Sequence, residues 1–171
     1  MEQVILVDSN DQELGLEEKF TCHKHPAKLH RAFSIFIFNE KGQLLITKRN
    51  KEKKTWPGFW SNAVCSHPRK GEHPEHAADR RLMEELGIKS ELKYLFKFIY
   101  SANFDGEWGE HELDWVFVGK TGNNLTPNKS EIDDWKFVDV KELEKDIKKN
   151  PDNYTPWFKI ALPRVLKHKD L

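Results

Sequence analysis

Several groups of side chains in this sequence are of types that do chemistry. The stretch CHKHPAKLH carries His23, His25 and His30, with Pro26 between them, so a loop or broken helix presents them. His67 follows Cys65 in NAVCSHP, and GEHELDWVF supplies Glu110 and Glu112. Two apart in a strand, these carboxylates point to one face, about 7 Å from each other along the backbone. Neutral imidazoles with a carboxylate pair are suitable ligands for one divalent cation such as Zn²⁺, Mn²⁺ or Mg²⁺. Taken singly, each element has a plainer meaning: a surface or core histidine, or the wet face of a strand.

Cys65 sits among polar and small residues in WSNAVCSHP, unlike the apolar setting of an ordinary core cysteine. Cys22 has no comparable context and is assigned no role. Lys48, Arg49, Lys51, Lys53 and Lys54 crowd into seven residues. They suit either a solvated loop or a clamp on one anionic head group, with arginine able to hold phosphate bidentately. Arg81 and Glu85 stand four apart, the spacing of an ion pair on one helix face.

These groups need elements to position them. Val4–Asp8 reads as a strand and Leu16–Cys22 as a short helix ended by Pro26. Ala32–Phe38, NEKGQ and LLIT form a hairpin pattern, and Lys48 to Trp60 reads as a loop. Pro74 to Leu86 has proline at its start, Ala78, Leu82 and Leu86 at every fourth position, and Gly87 after its end, all marks of a helix. Tyr94–Tyr100, Leu113–Gly119 and Trp135–Val140 read as strands, Val140–Lys149 and Trp157–Lys167 as helices. The expected class is α/β or α+β with a mixed sheet.

At 171 residues the chain is expected to form one domain, 1–171, with a core of its own. Twenty-eight basic residues against 28 acidic ones leave a net charge of zero, which disfavours a nucleic-acid binder. Apolar runs such as AFSIFIF are far below the roughly 18 residues that a membrane span needs. Two cysteines and no apolar leader point to a reducing, cytoplasmic setting. The terminal HKDL has the look of a retention tail, but without a secretory leader it implies nothing.

The string GEHPEHAADRRLMEELGI resembles the Nudix box, with Glu72, Arg80, Glu84, Glu85, Gly87 and Ile88 in place. Ser66 stands where the box opens with glycine, and Arg81 where it has a metal-binding glutamate. EEKF, KLHRAFSIFIFN, TWPGFWSNAVCSHP, WGEHELDW and TPWFKI complete a closer likeness, from about Leu16 to Leu162. Together they resemble the type I isopentenyl diphosphate isomerases, a family built on the Nudix fold, whose mixed sheet lies between helices; that family also lacks the box glutamate at Arg81.

The resemblance implies a divalent metal site of His23, His30, His67, Glu110 and Glu112; His25 matches no ligand position. It implies Cys65 and Glu112 as catalytic groups, Glu112 being an acid that also binds metal. Tyr100 would hydrogen-bond nearby, and Trp157 would face the hydrocarbon. Lys19, Arg49, Lys53 and Arg81 match diphosphate contacts. Glu85, with backbone at Cys65, matches the site of a Mg²⁺ arriving with substrate. The implied substrate is a small isoprenoid diphosphate and the implied assembly a monomer or weak dimer, with no nucleic acid or membrane partner. A Nudix hydrolase of a diphosphate is the alternative.

Overall fold

A computed structural model describes residues 1–122 and 124–168, so most of the HKDL tail lies outside the described residues. In chain order the elements are β1 (Gln3–Val7), β2 (Glu13–Glu18), α1 (Lys19–His23), β3 (His30–Phe38), β4 (Leu44–Arg49), β5 (Trp60–Ser61), β6 (Val64–Ser66) and α2 (Pro74–Leu86). They continue with β7 (Lys93–Asn103), β8 (Gly109–Lys120), β9 (Ile132–Val138), α3 (Val140–Lys149) and α4 (Pro156–Val165).

β3 organises the sheet. Its sequence HRAFSIFIF is buried almost throughout, as expected of a strand covered on both faces. Phe36 and Phe38 join a core with Trp157, Phe158, Ala161 and Leu162 of α4. Phe33, Ile35 and Ile37 join another with Ala78, Leu82 and Leu86 of α2. The alternation along one strand thus feeds two cores, and the mixed sheet lies between helices.

Pairing along β3 also places chemistry. β8 runs parallel to it with His30 opposite Glu112, while β6 runs antiparallel with Ser34 opposite Cys65. β7 pairs antiparallel with β8 and sets Tyr100 opposite Glu112.

The expected hairpin is present but brief, closed by Asn39 N–H to the Gln43 carbonyl at 3.0 Å. β3 and β4 pair only at Phe38 and Leu44 before β4 departs to pair with β9 and β5. The flank of β3 is taken by β6, a strand the sequence patterns did not indicate. The loop expected from Lys48 to Trp60 is shorter, because Lys48 and Arg49 finish β4 and Trp60 begins β5. The expected helix Leu16–Cys22 is also corrected: Leu16 to Glu18 belong to β2. α1 begins only where the Glu18 side chain accepts a hydrogen bond from the Thr21 backbone N–H, a helix-capping contact.

α2 and α3 have the expected bounds. Gly87 ends α2 at φ 68°, and an added Cβ would come within 3.0 Å of Thr126 Cβ. Gly87→Ala is therefore expected to lower stability by about 1–2 kcal/mol, measured as a fall in urea midpoint at unchanged slope.

Candidate active site and metal centre

A cavity of about 270 Å³ is lined by Lys19, His23, Arg49, Lys53, Cys65, His67, Arg81, Tyr100, Glu110, Glu112, Glu131 and Trp157, among others. Of the site residues that the family resemblance implies, only His30 and Glu85 are absent from its wall; both are buried, His30 against His67 and Glu85 against Arg81. His25 instead lies at the surface, its Nδ1 3.0 Å from Asn103 Oδ1.

Ligand atoms of His23, His30, His67 and Glu112 converge within 4.8 Å of one another. They come from the end of α1, the start of β3, the segment after β6, and β8. His30 Nε2 is 3.2 Å from His67 Nε2, which is 3.1 Å from Glu112 Oε1. The tautomers of two rings are set from behind. His23 Nδ1 lies 2.6 Å from the Lys19 carbonyl and His30 Nδ1 2.8 Å from that of Lys28, so each donates its N–H outward. In the neutral rings the Nε2 lone pairs then face inward.

Glu110 is not one of the four converging groups but borders them, with Oε2 2.9 Å from His23 Nε2. That oxygen is buried without a hydrogen bond, as is His67 Nδ1. Burial alone would lower the His30 pKa, yet the Cys22 and Glu112 hydrogen bonds and the Glu112 charge raise it to about 10. The buried carboxylates call for positive charge, which a proton or a divalent cation can supply. Inward nitrogen lone pairs, two carboxylates and an unpartnered buried oxygen fit such a cation; its identity is not set by these ligands.

Cys65 is held from several sides. Asn62 donates its side-chain N–H groups to the carbonyls of Ile35 and Val64, which leaves Oδ1 facing Cys65 Sγ at 3.1 Å. Trp157 Nε1 donates to Sγ at 3.0 Å and to Ser61 Oγ at 3.0 Å. Burial pushes the thiol up to about 12, although the Arg49 charge and the Ser61 and Trp157 hydrogen bonds oppose this. At neutral pH the resting group is the thiol.

Tyr100 donates its hydroxyl proton to Glu112 Oε2 at 2.5 Å. Burial would raise the Glu112 pKa, but hydrogen bonds from His30 and His67 hold it well below the usual range. The Tyr100 ring lies 6.0 Å from that of Trp157. Trp157 therefore bonds the thiol through Nε1 and packs its ring beside the phenol that holds Glu112.

The four candidate diphosphate contacts share this cavity, and each is held by an acceptor. Lys19 pairs with Glu2 at 3.0 Å and Lys53 with Glu131. Arg49 Nε and Nη2 bond the Thr55 and Trp56 carbonyls, and its guanidinium lies 5.1 Å from the Trp157 ring. These bonds hold Trp56 at φ 44°, an uncommon conformation for so bulky a residue. Arg81 pairs with Glu85 at 2.6 Å and with Glu131 at 3.1 Å. The spacing's ion pair thus forms, and with Glu85 only 4% exposed it is a largely buried one.

Sequence reasoning missed four participants. Glu131, just before β9, bridges Lys53 of the β4–β5 loop and Arg81 of α2, which no local pattern signals. Cys22, given no role, places Sγ 3.3 Å from His30 Nδ1. Asp114 is fully buried, accepts from Ser34 Oγ at 2.8 Å and leaves Oδ1 unpartnered; its period-2 spacing from Glu110 and Glu112 could have flagged it. Asn62, three before Cys65, carried no signal.

Burial would raise the Glu131 carboxyl, but Lys53 and Arg81 hold it at about 2. A depressed folded value stabilises the fold above the ordinary carboxylate pKa, and this stabilisation fades as pH falls from about 4.5 towards 2. Glu131→Gln is expected to cost about 1–2 kcal/mol at pH 7, allowing for solvent screening, and progressively less below pH 4. Urea unfolding of both proteins at pH 7 and pH 3 checks this.

Comparison with known proteins places the chain in a family. The NUDIX domain model matches residues 28–158. The isopentenyl-diphosphate Delta-isomerase 2 of Aromatoleum aromaticum is 43% identical over 99% of this chain and 89% of its own length. Isopentenyl-diphosphate Delta-isomerase 1 of Photorhabdus laumondii is 44% identical over 98% and 97%. That of Mesocricetus auratus is 39% identical over 96% and 82%. Among solved structures, the DR0079 protein of Deinococcus radiodurans superposes with a TM-score of 0.78 at 20% identity, covering 95% of this chain and 98% of that one. A MutT NUDIX hydrolase from Burkholderia pseudomallei gives 0.65 at 20%, covering 81% and 98%. At such identity these structures share the fold alone. With the relatives, the conclusion is direct: the chain belongs to the isopentenyl-diphosphate Delta-isomerase family and is built on the Nudix fold. Among its described residues no helix is long and apolar enough to cross a membrane.

Proposed function

We propose that the whole chain acts as a single domain that interconverts isopentenyl and dimethylallyl diphosphate by a 1,3-allylic proton shift. The observation that carries this reading is one cavity lined by a thiol, a carboxyl–phenol pair and an indole that bonds the thiol and packs beside the phenol. The hard step is protonation of an unactivated alkene to a tertiary carbocation. A divalent cation held by His23, His30, His67, Glu110 and Glu112, when bound, draws electron density from Glu112 and makes its protonated form a stronger acid.

The proton balance across the pair is one. Towards dimethylallyl diphosphate, protonated Glu112, hydrogen-bonded to Tyr100 at Oε2, gives its proton to the alkene. The Cys65 thiolate takes one from the neighbouring carbon. This leaves carboxylate and thiol, the protonation state needed for the reverse direction, and exchange with solvent resets the pair. The Trp157 and Ser61 donors and the Arg49 charge make the thiolate less costly in this buried position.

The cation between these groups must be kept from water and from nucleophiles. An aromatic face offers electron density without a lone pair to alkylate, worth about 2 kcal/mol or more when desolvated. We assign that role to Trp157. Lys19, Arg49, Lys53 and Arg81 grip the diphosphate by exchanging their present carboxylate and carbonyl partners for phosphate oxygens. Glu85 would hold a Mg²⁺ arriving with it, aided by the Cys65 backbone. Binding energy at this remote group then positions the double bond. Arg81, where the hydrolase box has a metal-binding glutamate, argues against phosphate release.

Incubation with isopentenyl diphosphate and Mg²⁺ in D₂O, followed by NMR and a phosphate assay, tests the reading. Deuterated dimethylallyl diphosphate without phosphate release is expected. Phosphate release without the isomer would overturn it in favour of hydrolysis.

A further inference from the structure

Thr55 lies in the loop between β4 and β5, 6% exposed, and its side chain lines the same cavity. Its hydroxyl has two partners of fixed polarity. Arg49 Nη2, which can only donate, reaches Thr55 Oγ1 at 3.2 Å. Glu110 Oε1, an acceptor when ionised, lies 2.6 Å from the same oxygen. A hydroxyl has one hydrogen, so with Arg49 donating to its lone pair the hydrogen goes to Glu110. Arg49 is itself anchored on the Thr55 and Trp56 carbonyls, so the hydroxyl is held from behind.

The effect falls on the other oxygen of Glu110. With Oε1 tied to Thr55, Oε2 is directed at His23 Nε2, 2.9 Å away, and remains buried with no hydrogen bond of its own. A carboxylate with one oxygen fixed by a strong hydrogen bond and the other free towards a cluster of imidazoles is arranged to ligate. Without the hydroxyl, Glu110 could turn, and a buried oxygen would lose its only donor.

We infer that Thr55 is a positioning residue that aims Glu110 into the divalent metal site and, through Arg49, links that ligand to the diphosphate-binding side of the cavity. This rests on the reading of the His/Glu cluster as a metal centre, which the test examines separately.

Mn²⁺ binding to the metal-stripped full chain, followed by calorimetry and by the free-ion EPR signal, needs no turnover. Thr55→Val keeps the shape and removes the hydroxyl, and is expected to weaken Mn²⁺ binding by about 10–100-fold. Thr55→Ser restores the hydroxyl and should bind within about threefold of wild type. Melting of each metal-free protein reports folding, and Thr55→Ala serves if the valine variant does not fold. A merely structural threonine would change melting and leave Mn²⁺ affinity alone. Glu110→Gln is the control for the underlying reading. If it loses affinity while Thr55→Val binds within twofold of wild type, the inference about Thr55 is overturned and the metal centre stands. If Glu110→Gln binds as tightly as wild type, Glu110 is not a ligand and both fall.

Discussion

Cys65→Ala is expected to fold as the wild type does and to lose about 10²–10⁴-fold in kcat in both directions, the range for a positioned acid or base. The side chain is small, so deletion of Sγ leaves little void. What disappears is the atom on which Trp157 Nε1 and Asn62 Oδ1 converge. The competing view, that Cys65 is only a small buried hydrophobe, makes alanine nearly neutral for turnover. Cys65→Ser separates shape from chemistry: it retains a hydrogen-bonding atom, but an alcohol loses its proton far less readily than a thiol. Serine is therefore expected to rescue stability and not rate. Turnover followed by NMR, together with melting, decides the matter; activity of Cys65→Ala within tenfold of wild type would remove the residue from the mechanism.

Glu112→Gln is expected to be at least as damaging, with kcat down by about 10³-fold or more and metal affinity reduced as well. An amide cannot pass a proton to an alkene, and it brings no negative charge to His30 and His67. His30 owes part of its raised pKa to that charge, so the amide variant should hold neither cation nor proton there as firmly. Glu112→Asp distinguishes the two duties. It keeps a carboxylate near the imidazoles but withdraws it from Tyr100 Oη by about one methylene. Metal content near wild type with turnover still lost would show the acid duty apart from the ligand duty. Full turnover in Glu112→Gln, measured beside its metal content, would sink both.

These expectations rest on residues that could be named before any fold was known, and the reason is local. Residue type brought forward His23, His25, His30, His67, Glu110 and Glu112, the family resemblance set His25 aside, and two glutamates at period 2 must share a face of β8. α2 was legible because proline at its first turn, apolar residues at every fourth position and a glycine just past its end are all read within one stretch of chain. The Nudix box is likewise contiguous, and the loss of its glutamate at Arg81 can be seen without a structure.

The partners of those residues were not legible, because they arrive from distant chain segments. The parallel register of β3 and β8 sets His30 opposite Glu112 across 82 positions, and nothing near either residue specifies it. The β3–β4 hairpin is confined to its turn for the same cause: local sequence makes the two strands adjacent there, but packing gives the flank of β3 to β6 and the rest of β4 to β9. Glu131 meets Lys53 and Arg81, Thr55 meets Glu110, and Asn62 meets Cys65 only once the sheet is assembled. The sequence by itself determined which groups could do chemistry and which helix would carry the altered box. The tertiary structure decided which oxygen, nitrogen and sulfur atoms face one another, since side-chain contacts follow strand register and the burial of two cores on one strand.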